Sequence, residues 1–429
     1  MKRLVATLIA SASLGCQTVC GRDPGMVYGF DKPNDERTRR PRRFWHRKRA
    51  GVPSYFTDHL WGAAQRVSFD PRGVNNSDLA FDCFSGNVEA RAAFNRAQHT
   101  GITNASSTSL AEQYYSSGIY GGWCNHAVEN GSPHSYYRPR PWPPVDPRPT
   151  PSYGTVIGTT FASLFPDRVG RMVLDGVVDA EEYYNNDWRS NINQMDEAMG
   201  KFVTFCHDAG PKACAFWGPT PANITARLDG LIRQLQSHPV PISGPPSSGR
   251  LPALVTYADL AALFMNTIYS PVLLFPTMAG VLRQLEGGNA TALAGMFDAL
   301  DTTNDAGLAI RCADTYRRNN LVALDDYRSL SEYAVSKSKY LGDIYPIFFQ
   351  SVLCRSFQPQ LSDSMVFQNP VMGSYKPTSF PILFTSNTID PVASSARKMS
   401  SRFPGSVTLF QEAVGVSLSR LLFDHITAS

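Results

Sequence analysis

The chain has 429 residues, 43% hydrophobic and 18% charged, a balance that excludes a disordered protein and allows a sizeable core. The formal net charge of +4 is too small to indicate a nucleic-acid partner, and the 32 glycines and 31 prolines exclude a coiled coil or a mostly helical bundle. The length suits either two or three domains or one large α/β domain with an insertion.

The N-terminus is typical of an export signal. A basic start at residues 1–3 precedes the apolar residues 4–12, which predicts a signal peptide over residues 1–20. Leu14-Gly15-Cys16 would also suit a bacterial lipoprotein. Candidate glycosylation sites of the type Asn-x-Ser/Thr stand at Asn75, Asn104, Asn130, Asn223 and Asn289. They favour a secreted, extracellular eukaryotic glycoprotein.

The cysteines indicate disulfide bonds and not a metal site. Six lie beyond the signal: Cys83, Cys124, Cys206, Cys214, Cys312 and Cys354. Six cysteines allow 15 pairings, of which Cys206 with Cys214 is the natural first bond in an oxidising compartment. No Cys or His spacing suits a metal, so we expect neither a metal nor another cofactor.

The first half of the chain contains two unusual segments. Residues 21–52 include eight Arg or Lys and no acid between positions 37 and 49, which predicts a disordered segment. Three explanations of this segment are open: it binds a polyanion, it is a pro-segment removed at Lys48-Arg49, or it does not belong to the folded domain. In residues 125–151, seven prolines fall between positions 139 and 151, which predicts irregular structure.

The remaining elements alternate strand with helix. Residues 66–74 predict a strand and turn, 155–164 a helix and 171–178 a buried strand, within an N-terminal core region 53–179. Residues 380–386, 392–403 and 406–410 predict strand, helix and strand within a C-terminal core region 379–429. This order predicts an α/β fold with a mainly parallel sheet.

Between these two regions, residues 180–378 have a helical pattern, and a length of roughly two hundred residues indicates a cap rather than a loop. The uncharged stretch 260–282 is long enough to span a bilayer, but Pro271 and Pro276 interrupt it. It therefore predicts two short buried helices and no membrane span.

Ser152 lies in the pattern expected of a catalytic nucleophile. Thr150-Pro151-Ser152-Tyr153-Gly154 precedes the predicted helix and approximates the G-x-S-x-G nucleophile elbow, with Thr150 in place of the first glycine. Small neighbours are needed there because the serine backbone is strained and the next strand packs closely.

Four segments, 69–74, 152–155, 165–179 and 386–399, resemble in order the secreted α/β-hydrolases related to tripeptidyl and prolyl aminopeptidases, including their TAP-like C-terminal domain. The resemblance implies an α/β-hydrolase fold with a large helical cap. It also implies a serine hydrolase with Ser152 as nucleophile, Asp390 as the acid that orients a histidine, and the Tyr153 N–H as oxyanion donor. Near the start of the cap, Glu181, Glu182 and Asp187 are candidates for binding a substrate amine.

The chain departs from that family in three places. The basic segment stands where the family has a glycine- and proline-rich oxyanion loop, and the proline run stands where a strand should lead to Ser152, so we expect an incomplete sheet. Val416 follows Gly415 where the catalytic histidine is expected, and His425 is the only histidine in the tail. Mis-joined exons or a decaying gene copy would explain all three departures.

Three functions follow as hypotheses. The first is a secreted aminopeptidase that releases residues or short peptides from peptide N-termini through an acyl-enzyme. The second is a carboxylic ester hydrolase on the same scaffold, since the triad does not distinguish amides from esters. The third is a catalytically inactive paralogue that acts as a binding protein. The expected partner is a peptide or small ester, with no nucleic acid.

Overall fold

The computed structural model describes residues 81–98, 101–129, 149–243, 252–296, 305–359 and 373–416. Several predictions lie outside these ranges: the signal peptide, the basic segment, the strand and turn at 66–74, Asn75, Asn130 and His425.

Six strands occur in the described ranges: β1 (Pro149–Ser152), β2 (Met172–Val177), β3 (Val240–Ile242), β4 (Ala253–Val255), β5 (Ile382–Ile389) and β6 (Val407–Val414). The same ranges contain the helices α1 (Val88–Gln98), α2 (Ser109–Glu129), α3 (Tyr153–Leu164), α4 (Ala180–Asn185), α5 (Met195–Ala213), α6 (Pro221–Ser237), α7 (Tyr257–Ile268), α8 (Pro271–Glu286), α9 (Asp305–Asp314), α10 (Leu324–Lys337), α11 (Tyr345–Phe349) and α12 (Ala396–Ser400). Short 3-10 turns occur at Pro166–Arg168, Arg189–Ile192 and Ser351–Arg355.

The main sheet contains four parallel strands in the order β1-β2-β5-β6. Strand β2 is buried along almost its whole length, which explains why its sequence is continuously apolar around Asp175. Helices α3 and α12 pack against these strands. The structure confirms the predicted α/β class with a mainly parallel sheet, consistent with an α/β-hydrolase fold; the sheet is small and open.

One local prediction was wrong at both ends of its segment. The segment 125–151 was expected to be irregular, but at its two described ends helix α2 continues through Glu129 and residues 149–152 form strand β1; residues 130–148 lie outside the described ranges. The two prolines of β1 are tolerated because this strand is the outermost of the described sheet on its side and pairs only with β2 there. Within β2, where a buried strand was predicted, Asp175 is buried and its carboxylate accepts a hydrogen bond from Thr385.

The chain between β2 and β5 is mostly helical, as the sequence pattern predicts. Thr220 caps α6, whose apolar face is buried through Ile224, Leu228 and Leu235. The uncharged stretch 260–282 forms α7 and the first part of α8, separated by Tyr269 and Ser270. No helix within the described ranges is long and apolar enough to cross a membrane.

Three disulfides occur in the described ranges. Cys206–Cys214, the α5 bridge, confirms the predicted pair, and the other two are Cys83–Cys124 and Cys312–Cys354. The N-terminal helices are also held to α9 by the buried carboxylate of Asp305, which accepts hydrogen bonds from the Cys83 N–H, Arg91 and Tyr120. All six bridged cysteines lie outside the strands of the sheet.

Candidate active site

Ser152 has a strained backbone at the junction of β1 and α3. It is the last residue of the strand and the N-cap of the helix, and its φ of 54° and ψ of −123° lie outside the regions that non-glycine residues normally adopt. Its pairing with Val177 follows a register shift after Pro151. The residue is half-buried at this sharp strand-to-helix turn.

Helix α3 packs very closely on β2 immediately after this turn. A Cβ added at Gly158 would lie 2.5 Å from Cδ2 of Leu174, a buried residue of β2. The hydroxyl of Thr155 links the two elements by hydrogen bonds: it donates to the Ser152 carbonyl at 2.6 Å and accepts from the Val178 N–H at 3.1 Å. The end of β2 and the start of α3 are therefore fixed to each other around Ser152.

Tyr153 is the first residue of α3. Backbone N–H groups of a helix's first turn have no intrahelical acceptor and attract negative charge. This is the location that the predicted oxyanion role of the Tyr153 N–H requires. The side chain extends toward the insertion, where its hydroxyl donates to Asp314 at 2.9 Å.

Asp390 is fully buried in the first position after β5. Its Oδ1 accepts hydrogen bonds from the N–H groups of Val392 at 3.0 Å and Ala393 at 2.7 Å. Gln194 of the insertion binds both sides of this turn, accepting from the Asp390 N–H at 3.0 Å and donating to the Thr388 carbonyl at 2.9 Å. Two hydrogen bonds thus orient the carboxylate, and two more, both to Gln194, fix the backbone of its turn.

Parallel pairing brings Ser152, Asp390 and Val416 to the same edge of the sheet. They stand at or just after the carboxyl ends of β1, β5 and β6, and parallel strands end at a common edge. Strands β1 and β5 are two positions apart, which separates their backbones by about 10 Å. Gly415 donates to the Ile389 carbonyl at 3.0 Å, so the chain after β6 stays beside the Asp390 turn.

No histidine of the described ranges occupies the position expected for the base. Val416, two residues after β6, is half-buried and packs on the hydrophobic core there. His126 and His207 lie on α2 and α5, and His238 follows α6. His425, the candidate from the sequence, lies outside the described residues.

Tyr269 is a neighbour of Asp390 that the sequence did not reveal. Its hydroxyl is buried and has no hydrogen-bond partner in the described structure. Burial, with a smaller contribution from the negative charge of Asp390, raises the pKa of Tyr269 well above its ordinary value. The adjoining Pro271 lies against Gly415, with only 3.0 Å between its Cδ and a Cβ added at that glycine. The turn between α7 and α8 therefore covers the end of β6.

Asp314, the last residue of α9, forms a polar cluster next to the elbow. Its Oδ2 accepts hydrogen bonds from the hydroxyls of Tyr153 at 2.9 Å and Tyr183 at 2.8 Å. The two tyrosine rings also touch, with centroids 5.4 Å apart. Burial raises the pKa of Asp314 to about 6, against the opposing effects of the two tyrosine hydroxyls and of the positive charge of Arg318.

The three acids that the sequence suggested for amine binding have other partners. Glu181 pairs with Arg402 and Lys398, and these contacts, the Arg402 hydrogen bond first, lower its pKa. Glu182 accepts from the backbone and hydroxyl of Ser190, and Asp187 pairs with Arg189 at 2.8 Å. The carboxylate that lies beside Tyr153 is instead Asp314, which no motif pointed to because 161 residues separate it from Tyr153.

The remaining predictions about sites concern metal binding and glycosylation. In the described ranges, no group of three His, Cys, Asp or Glu side chains could hold a metal ion. Of the candidate glycosylation sites, Asn104, Asn223 and Asn289 are exposed.

Comparison with known proteins finds no matching family model. Among curated proteins, the chain is 28% identical over 205 residues to "Serine protease Hip1" of Mycobacterium tuberculosis (strain ATCC 25618 / H37Rv), covering 45% of this chain and 38% of that protein. The Mycobacterium bovis protein of the same name matches equally. The chain is also 24% identical over 360 residues to "Putative hydrolase YuaR" of Escherichia coli (strain K12), covering 79% of this chain and 64% of that protein. The chain thus spans less than two thirds of each of these relatives.

Proposed function

We propose that this chain is a secreted serine hydrolase that acts on peptides, with Ser152 as nucleophile, the Tyr153 N–H as oxyanion donor and Asp390 as the acid that orients the base. The similarity to proteins named as a serine protease and a putative hydrolase supports the reaction class. The three disulfides favour an oxidising compartment outside the cytosol.

The backbone of Ser152 is the observation that carries this proposal. A non-glycine residue at φ 54° and ψ −123° costs of order 1–3 kcal/mol, and such strain persists mainly where function needs it. A serine on a sharp strand-to-helix turn is the nucleophile elbow of α/β-hydrolases. Gly158 and Thr155 support this turn from the adjoining helix.

The proposed reaction proceeds through an acyl-enzyme. The Ser152 oxygen attacks the substrate carbonyl carbon and passes its proton to a base; the carbonyl oxygen becomes an oxyanion facing the first turn of α3. When the carbon–nitrogen bond breaks, the amine leaves with that proton, and water then hydrolyses the ester. We propose that the base is supplied from outside the described residues, where His425 is the candidate.

We propose the following organisation: a signal peptide at 1–20, a hydrolase core formed by 53–179 and 379–429, and a cap at 180–378. A cap over the edge of the sheet favours short substrates, and hence release of residues or short peptides from peptide N-termini. Pro271, at the start of α8, and the side chain of Gln194 both reach this edge from the cap.

The test is to assay the full chain with peptidyl anilides and acyl esters of matched size. We expect Ser152→Ala to abolish hydrolysis, because the nucleophile is lost. Ser336→Ala is the matched control: this serine is exposed on α10 and bonds only to the Tyr333 carbonyl of its own helix. Hydrolysis that survives Ser152→Ala would contradict the proposal. Hydrolysis of the esters with none of the anilides would instead favour a carboxylic ester hydrolase on the same scaffold.

One observation favours a second function. Val416 occupies the place beside the Asp390 turn where a base would be expected, and an apolar side chain there cannot accept a proton. A protein with the hydrolase fold but no catalytic base would bind peptides and release them unchanged. Folded protein that binds a peptide and hydrolyses neither substrate class would support this alternative.

A further inference from the structure

We propose that Gln194 is a positioning residue through which the cap holds Asp390 in its orientation toward the base. This inference rests on the proposed function, because it assigns a further role at the same site. No sequence motif and no relative's name points to this glutamine.

The side-chain amide of Gln194 takes the place of a strand residue beside the end of β5. Strand β2 pairs with only the first four residues of β5, whereas β6 stays beside it as far as Ile389. The Ile389 carbonyl faces β6, so the Thr388 carbonyl and the Asp390 N–H face the opposite side. Gln194 donates to the first at 2.9 Å and accepts from the second at 3.0 Å. These are the two hydrogen bonds that a residue of a neighbouring parallel strand would make.

The position of this amide is set by the cap. Gln194 directly precedes α5, and its neighbours Ile192 and Met195 are both fully buried. The first turn of α5 is anchored as well, because Asp196 accepts a hydrogen bond of 2.9 Å from a backbone N–H just after α10. A further bond from the Gln194 amide, to Glu197 at 3.4 Å, stays within the same turn. The end of β5 is therefore attached to β6 on one side and to the cap on the other.

The carboxylate of Asp390 follows the backbone that Gln194 holds. Its Oδ1 is bound by the N–H groups of Val392 and Ala393, so the carboxylate and the turn move together. The bond to the Thr388 carbonyl is exposed, so water can replace the amide and its loss should cost little stability. A displaced turn would nevertheless slow the reaction, because catalysis is sensitive to shifts of about 1 Å. A large loss of rate with little loss of stability is therefore expected.

The test measures the rate at which a fluorophosphonate, which bonds covalently to an activated serine, labels Ser152 in the full chain. Gln194→Met keeps the length of the side chain and removes its hydrogen bonds, so labelling should be about ten-fold slower or more, with little change in the urea midpoint. Gln236→Met is the matched control: this glutamine is exposed on α6, and the variant should label like the wild-type chain. If Gln194→Met does not fold, Gln194→Asn replaces it, because a side chain one methylene shorter cannot make both bonds.

The pH dependence of labelling separates positioning from a general structural effect. The negative charge of Asp390 favours the protonated form of the base that it orients, and so raises the pKa of that base. A displaced Asp390 should therefore move the acid limb of the labelling rate to lower pH in Gln194→Met. An unchanged rate or an unchanged acid limb would overturn the inference.

Hydrogen exchange keeps these outcomes distinct from the proposed hydrolysis. If the wild-type chain takes no label, the proposed function is lost, and the Asp390 N–H should still exchange about ten-fold faster or more in Gln194→Met than in the wild-type chain. Equal exchange in the two proteins would then overturn the inference as well. A wild-type chain whose labelling does not depend on Gln194 would keep the proposed function and overturn the inference alone.

Discussion

Replacing Gly158 with alanine should weaken the packing of helix α3 on strand β2. The added Cβ would lie 2.5 Å from Cδ2 of Leu174, whereas carbon atoms in favourable contact are about 3.5–4.0 Å apart. Because Leu174 is fully buried, either its side chain or the helix must move by about 1 Å. Such overpacking costs about 1–3 kcal/mol, which the better helix propensity of alanine offsets by about 1 kcal/mol.

The matched control is Gly230→Ala in α6, where no atom lies within 4 Å of the added Cβ. This control should stabilise the protein by up to about 1 kcal/mol. The free energy of unfolding in urea should therefore differ between the two variants by about 1–3 kcal/mol. In a Leu174→Ala background the cost of Gly158→Ala should disappear, because the colliding methyl is gone. If Gly158→Ala were as stable as Gly230→Ala, the close packing inferred around Ser152 would be refuted.

Three further predictions concern other parts of the molecule. Replacing Cys312 and Cys354 with serine should lower the free energy of unfolding by about 4 kcal/mol, and replacing both cysteines of the α5 bridge should lower it by about 2.5 kcal/mol. The costs differ because the first bridge closes a longer loop. Equal losses of stability in urea unfolding would contradict this. Arg227 holds the pKa of Glu286 below its ordinary value of 4.5. The contribution of Glu286 to stability is therefore present above pH 4.5 and is lost as the pH falls through the lower, folded-state pKa. Glu286→Gln should remove that pH dependence from acid unfolding curves. Val416→His should increase ester hydrolysis if the position after β6 can hold a base, and an unchanged rate in a folded variant would exclude that position.

The order of the strands and helices could be predicted because each has a strong local pattern. Strands β2 and β5 begin with the apolar runs Met172–Leu174 and Ile382–Phe384, and the face of α6 repeats with helical period. Strand β1 was missed because its prolines argue against a strand, and only its pairing with β2 overrides that local preference. Local signals thus predicted the elements, while tertiary pairing decided the exception.

The candidate site was predictable only where its residues are close in sequence. Ser152 and Tyr153 belong to one motif, and Asp390 follows a recognisable strand. Asp314 and Tyr269 have no comparable signal, since they reach the site through packing of the helices between β2 and β5. Of the acids suggested from their position near the start of that region, Glu181 and Asp187 bind neighbouring arginines, and Glu182 binds Ser190.

Labelling with a fluorophosphonate, followed by mass mapping of the modified peptide, tests the central claim most directly. Such reagents bond covalently to an activated serine hydroxyl, and the account predicts one label, on Ser152, that Ser152→Ala abolishes and Ser336→Ala leaves unchanged. Folded protein that takes no label, or takes it at another serine, would contradict the assignment of Ser152 as the nucleophile.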